Sequence, residues 1–213
     1  MPSKLQQKTT LFWILSVIFW LGLFACYLFF GDQQILFALN HHYNFGLDIL
    51  NAIFSFFGRG DTIAIFFILL LFKQSFRNIT YLKWVACYGI AASLINFLLK
   101  EYFKTPRPLT KYYGNVHIVK WLSQAYTHGF PSGHTLGIFS FASFIIFIFN
   151  VDHKKWHILL YIIAAGCGIS RIYLGQHFAS DVLFGEILGL LIGSTIGHYA
   201  KKELNKKGID LLK

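Results

Sequence analysis

LFWILSVIFWLGLFACYLFF, residues 11–30, is twenty residues long and carries no charge. As a helix rising about 1.5 Å per residue it reaches roughly 30 Å, the thickness of a bilayer's hydrocarbon core. A cleaved signal peptide is the competing reading. The apolar run exceeds a typical h-region, however, and no small-residue cleavage site follows it cleanly. The stretch reads as a retained first membrane span.

Working outward, the rest of the chain repeats this pattern. Its 213 residues are 55% hydrophobic, 19% aromatic and only 13% charged, with a mean hydropathy of +0.54. That is too apolar for an ordinary soluble domain. Further spans are expected at about 62–72, extending back through Phe54–Phe57, and at 81–99, 135–149, 157–169 and 182–199. Residues 45–57, between the first two spans, suit a short helix lying in the interface. The predicted fold is all-α: one domain over residues 1–213, an integral membrane bundle of six transmembrane helices. In the sixth span Gly185, Gly189, Gly193 and Gly197 recur every four residues, a ridge that lets another helix come close. Glu186 in the same span must face protein or water, and an internal hydrogen-bond partner is the expected role.

The net charge of +10 invites a nucleic-acid reading. No basic patch with interleaved aromatics supports it, and the positive residues fall between apolar runs, as membrane topology arranges them. Twelve lie on one side of the six spans (Lys4, Lys8, Lys73, Arg77, Lys83, Lys154, Lys155, Lys201, Lys202, Lys206, Lys207, Lys213) and seven on the other. Both termini are therefore expected in the cytoplasm. Cys26, Cys87 and Cys167 sit in apolar runs without metal-ligand spacing and read as packing residues. His41 and His42, as neighbours on a helix, point apart and make no metal site. Arg59-Gly60-Asp61 at the mouth of a span reads as chance.

The chemistry concentrates where the spans leave the outer face. SRIYLGQHFASD, residues 170–181, places Arg171, His177 and Asp181 within twelve positions. On one helix His177 and Asp181 share a face, so that the carboxylate orients the imidazole, and Arg171 suits a phosphate oxygen. Alone, the stretch is equally a loop arginine beside a capping pair. Lys100 ends the third span, and Pro106 and Pro108 stop the helix on either side of Arg107. The polar loop 107–130 closes on Pro131-Ser132-Gly133-His134, directly before the fourth span. A helix start of this kind is an anion site: Gly133 allows close backbone approach, and His134 can give a proton to a leaving oxygen. A proline-glycine turn with a surface histidine is the plain alternative.

Lys100 with Arg107-Pro108, then Pro131-Ser132-Gly133-His134, then Ser170-Arg171 with His177 and Asp181 together resemble the three-part signature of the type 2 phosphatidic acid phosphatase superfamily, with no departure at any signature position over residues 100–181. The resemblance implies that His177 attacks phosphorus and forms a phosphohistidine while Asp181 holds its imidazole. It implies that His134 protonates the leaving group and then activates water. Lys100, Arg107, Ser132, the Gly133 amide and Arg171 would bind the phosphoryl oxygens, with no metal or cofactor. A lipid phosphate is the expected substrate: undecaprenyl diphosphate, phosphatidylglycerophosphate, phosphatidic acid or a phosphate of lipid A. Membrane lipids are the expected surroundings, with no nucleic-acid partner, in a bacterial inner membrane with a periplasmic site. Three rivals remain: a vanadium haloperoxidase, whose relatives are soluble; a lipid phosphotransferase using the same residues; and a non-catalytic anion-binding membrane protein.

Overall fold

The computed structural model describes residues 4–149, 151 and 153–211. Asp152, in the link before the expected fifth span, and Lys213 of the basic tail lie outside the described residues. The apolar runs form α1 (Lys4–Asn40), α2 (Phe45–Phe57), α3 (Gly60–Leu70), α4 (Ile79–Phe103), a short α5 (Pro108–Lys111), α6 (Gly133–Phe149), α7 (Lys154–Tyr173) and α8 (Ala179–Lys206). A 3-10 turn at Gln74–Arg77 joins α3 to α4. The described residues contain no strand.

Local chemistry sets the boundaries. Asn44 and Asn78 accept from Leu47 N and Thr80 N, each at 2.9 Å, and so start α2 and α4. Lys104 adopts a left-handed conformation (φ 46°) and ends α4 just ahead of the two prolines. Gly31 (φ 70°) breaks the helical geometry of α1. Asp32 beyond that break accepts from Ser180 N (2.9 Å) and Ser180 Oγ (2.7 Å), pinning the start of α8.

The predicted glycine ridge meets α6 at each turn. A Cβ on Gly185 would stand 2.8 Å from Ser132 O, one on Gly189 2.6 Å from Leu136 O, and one on Gly197 2.8 Å from Phe147 Cβ; at Gly193 it would run into Ser140 O. Small residues bring the two backbones together, so α6 and α8 form the central pair. Around them Phe12, Phe139, Phe144 and Ile146 are fully or almost fully buried. At the end away from the site, Glu203 accepts from Lys83 (2.5 Å), Trp84 (2.9 Å) and Lys207 (2.9 Å), joining the start of α4 to the end of α8.

The protein is an integral membrane protein, and its span count by length and apolarity is four among the described residues: residues 11–40, 79–111, α7 and α8. It becomes five if α2 and α3, bent by 56° about a short break, count as one. The helix predicted to lie in the interface does form at 45–57, but it packs along α7 and runs through this bend into α3. Packing requires glycine at the break: a Cβ on Gly58 would lie 2.5 Å from Cys167 Sγ and 2.7 Å from His134 O. α6 is shorter, at 17 residues, and buried along most of its length. Glu186 is 0% exposed and neither of its carboxyl oxygens has a hydrogen-bond partner, contrary to the internal-partner expectation. α4 stands at the edge of the bundle, showing Ile90, Leu94, Phe97 and Leu98 outward.

Candidate active site

α7 ends in a left-handed glycine, Gly175 (φ 64°), and the amides of Gln176 and His177 turn back onto the Arg171 carbonyl at 3.0 and 3.1 Å. This closure fixes the backbone of His177 to the helix that carries Arg171. Asp181 stands in the first turn of α8, where its Oδ2 accepts from Phe178 N at 2.9 Å. The structure corrects the expectation that one helix carries both His177 and Asp181. α8 begins at Ala179, because Asp181 caps it, and His177 lies in the turn outside. The pair still meets, with His177 Nδ1 3.4 Å from Asp181 Oδ2. Its geometry falls short of a hydrogen bond, and Nδ1 has no formed partner.

Ser132 N donates to the Asp181 carbonyl at 3.0 Å, locking the turn before α6 to the start of α8. Ser132 is fully buried, and its Oγ accepts from Thr135 Oγ1 (2.8 Å) and Thr135 N (3.4 Å), capping α6. It is not among the residues that line the cavity beside it. Gly133 and His134 front the site from the first turn of α6.

The cations converge from three directions. Lys100, in the last turn of α4, donates to His128 O at 2.5 Å. Arg107 donates to Thr127 O (2.8 Å), Gln176 O (3.3 Å) and Gln176 Oε1 (3.2 Å), and its Nη1 lies 3.4 Å from His177 Nε2. A guanidinium has no acceptor atom, so this contact assigns the lone pair to Nε2 and the proton to Nδ1, on the side of Asp181. Arg171 is 7% exposed; Nη1 donates to Ser55 Oγ at 2.5 Å, and Nε has no partner. Burial, then the positive charges of Arg107, Arg171 and Lys100, hold the His177 imidazole well below its ordinary pKa, so it is neutral at pH 7.

Lys100, Arg107, Gly133, His134 and His177 line one end of a cavity of about 660 Å³. Its other walls are mainly apolar, from Gly60 to Ile68 on α3 with Leu71 just beyond it, and from Tyr81 to Ala92 on α4. α3 and α4 barely touch, and the slot lies between them. From Tyr81 to Lys100 it follows nineteen residues of α4, about 28 Å.

The structure adds residues that sequence reading missed. Gln176 joins Arg107 to the loop 107–130, donating to Gln124 Oε1 at 2.6 Å. Asn96 lies against Gly133 and lines the slot. The loop itself is held by Asn40, which accepts from His117 N (2.7 Å) and donates to the carbonyls of His117 and Tyr173. Asp48 accepts from His117 and from Tyr173 OH (2.8 Å). His/Asp/Glu/Cys groups of three or more with metal-holding geometry do not occur among the described residues.

A neutral histidine backed by a carboxylate and ringed by guanidinium and ammonium groups, set at one end of a helical membrane bundle, defines a membrane enzyme of phosphoryl chemistry. The chain belongs to the PAP2 superfamily, whose family model matches residues 80–204. It is 29% identical over 161 residues to undecaprenyl-diphosphatase BcrC of Bacillus subtilis (strain 168), an overlap of 73% of this chain and 76% of the relative. The crystal structure of Aquifex aeolicus LpxE superposes with a TM-score of 0.61 at 26% identity, over 80% of this chain and 94% of that one. The transmembrane PAP2 type phosphatidylglycerolphosphate phosphatase from Bacillus subtilis gives a TM-score of 0.67 at 23% identity, over 92% and 96%, a likeness of fold.

Proposed function

We propose that the protein hydrolyses the phosphate of a lipid mono- or diphosphate at the outer face of a bacterial inner membrane, through a phosphohistidine. The observation that carries this reading is the slot: an apolar channel about as long as a bilayer core is thick, ending on Lys100, Arg107, His134 and His177. A headgroup phosphate at that end leaves its chain in an apolar environment. Undecaprenyl diphosphate, the substrate in the printed name of BcrC, heads the candidates, with phosphatidylglycerophosphate, phosphatidic acid and lipid A phosphates beside it. We place both termini in the cytoplasm, count α2 with α3 as one broken span and the shorter α6 as a span of its own, which brings the number to six, and treat residues 1–213 as one domain.

His177 Nε2 attacks phosphorus in line; the P–N bond forms as the bond to the leaving oxygen breaks, and His134 gives that oxygen its proton. Water then attacks the phosphohistidine, His134 takes a proton from it, and the P–N bond breaks to release orthophosphate. Asp181 lies on the side of Nδ1–H and stabilises the charge the ring acquires. Lys100, Arg107, Arg171 and the Gly133 amide stabilise the phosphoryl oxygens, a preorganised electrostatic role, and Ser132 holds the Gly133–His134 turn in place. This chemistry calls for no metal.

Phosphate release by the detergent-purified protein, measured on the candidate lipids and on a water-soluble short-chain phosphate, tests the reading. A Cβ on Gly89 meets nothing within 4 Å, and Gly89 lines the slot. Gly89→Phe is therefore expected to raise KM for long-chain lipids about tenfold, the loss of roughly 1.4 kcal/mol of chain burial. The short-chain rate should stay within about twofold. Equal effects on both would remove the slot from substrate binding, and no release from any lipid would end the hydrolase assignment.

The pH profile follows from His177. The attacking form is the neutral one, and its depressed pKa keeps it neutral as pH falls through 6.5. The acid limb of kcat/KM is expected below pH 6.5, and Arg107→Gln should move it upward as a depressing charge is lost. A limb at 6.5 that ignores this substitution would contradict the assignment.

A further inference from the structure

The slot passes from charged to apolar lining through one intermediate level on α4. Its lysine and arginine, Lys100 and Arg107, stand beside His177, and the wall from Tyr81 to Ala92 is mainly apolar. Between the two stand Ser93 and Asn96. Asn96 is four residues before Lys100, one helical turn or about 6 Å deeper in the slot. Its amide packs on the first residue of α6: a Cβ on Gly133 would stand 3.1 Å from Asn96 Nδ2 and 3.2 Å from Oδ1. Oδ1 is enclosed without a hydrogen-bond partner, and Nδ2 donates to no group among the described residues. The hydroxyl of Tyr88, further along the same wall, is by contrast engaged with Ser140 Oγ at 3.2 Å. An unpaired amide in a membrane helix costs free energy that an apolar side chain would not. The fold draws no hydrogen bond from Asn96, so that capacity is left for a ligand.

We propose that Asn96 is a specificity-determining residue, whose amide hydrogen-bonds the oxygen function that follows the scissile phosphate in the lipid headgroup. The inference rests on the hydrolase reading and deepens it. With the terminal phosphate at Lys100 and Arg107, a lipid running down the slot brings its next oxygen-bearing group to the level of Asn96. In a polyprenyl diphosphate that group is the inner phosphate; in an acylated glycerol phosphate it is an ester carbonyl. Both are acceptors for Nδ2–H, and a prenyl or alkyl monophosphate offers neither. Such a chain would cover the amide and leave it unpaired. Asn96 therefore selects against it as well as for a headgroup with a second acceptor. It lies outside the signature residues, and on this reading it touches no reacting atom.

Two matched pairs of substrates test this with the full-length, detergent-purified protein: farnesyl diphosphate against farnesyl monophosphate, and diacyl phosphatidic acid against its dialkyl ether analogue. Asn96→Ala removes the amide without overpacking the wall, and Asn96→Leu removes it at closer to the original volume. In each variant kcat/KM should fall about tenfold for the member of a pair that carries the second acceptor, the scale of one hydrogen bond. It should stay within about twofold for the member that lacks it. The pair that responds names the acceptor, inner phosphate or ester, and agreement between the two variants excludes a cavity effect. Equal losses on both members of each pair would place Asn96 in the phosphoryl pocket, and no loss on any would leave it as packing; either result overturns the proposal. If no lipid is hydrolysed, the hydrolase assignment falls and calorimetric binding of the same pairs decides the subsite. Affinity lost selectively in Asn96→Ala keeps it, and affinity that ignores the second acceptor ends it.

Discussion

Replacing His177 by alanine is expected to lower phosphate release from every substrate by about 10⁴-fold or more, while the purified variant keeps the helical content and thermal midpoint of the wild type. The two halves of this result have separate causes. On the proposed mechanism His177 is the nucleophile, and neither Lys100 nor Arg107 can replace it, since each is held as a cation against loop carbonyls. Asp181 is a poor substitute because its Oδ2 already accepts from Phe178 N. Structurally the imidazole does little. Its Nδ1 has no formed hydrogen bond, and its Nε2 contact with Arg107 is long at 3.4 Å. Rate and circular dichroism on one preparation check both halves. Residual activity above about one per cent would take the nucleophile's role from His177.

Gly193→Leu is expected to damage the protein almost as severely without touching a reactive group. Helix propensity argues the other way, since replacing a mid-helix glycine gains up to about 1 kcal/mol. The steric term is larger. The first atom of any side chain at Gly193 collides with the Ser140 carbonyl oxygen and approaches the Ser140 backbone carbons to 2.8 Å, and overpacking of this kind costs roughly 1–3 kcal/mol even where neighbours can yield. Here the neighbour is backbone. The thermal midpoint should drop by several degrees. Activity should fall by about a hundredfold, the scale of a 1 Å misplacement, because α6 carries Gly133 and His134 and α8 carries Asp181. Gly89→Ala, whose added Cβ meets nothing within 4 Å, is the matched control: activity should stay within about twofold and the midpoint should hold or rise slightly, as helix propensity dictates. If Gly193→Leu behaves like that control, the α6–α8 contact is not what positions the site.

These two positions also mark what could be read from sequence. His177 was legible because its partners are close in the chain or recur in spaced motifs, and the glycine ridge because a four-residue period has one structural meaning in an apolar helix. The helical membrane class followed from uncharged runs alone. The sequence left the start of α8 open between two readings, because a capping aspartate and an in-helix aspartate look alike four residues after a histidine; hydrogen bonding to Phe178 N decides for the cap. Ser55, Asn96, Gln124 and Gln176 left no local signal. Each matters through a neighbour dozens of residues away: Ser55 with Arg171, Asn96 with Gly133, and Gln124 with Gln176. The broken α2–α3 pair was equally hidden, since the neighbours that require glycine at 58, Cys167 and His134, lie far along the chain and nothing in residues 45–70 announces them. Glu186 is the converse case, a residue whose sequence promised a partner that the fold does not provide.

The carbonyl of His128 takes the ammonium of Lys100, while those of Thr127 and Gln176 take the guanidinium of Arg107. On the proposed mechanism phosphoryl oxygens compete with these peptide oxygens for the same donors, so that loop 107–130 stands in for the ligand. On that mechanism an arriving phosphate, being charged, would form the stronger bonds and displace neutral carbonyls from both cations. Substrate capture, on the proposed mechanism, would thus be an exchange of partners, with residues 127–128 unlatched by the molecule that needs the door open.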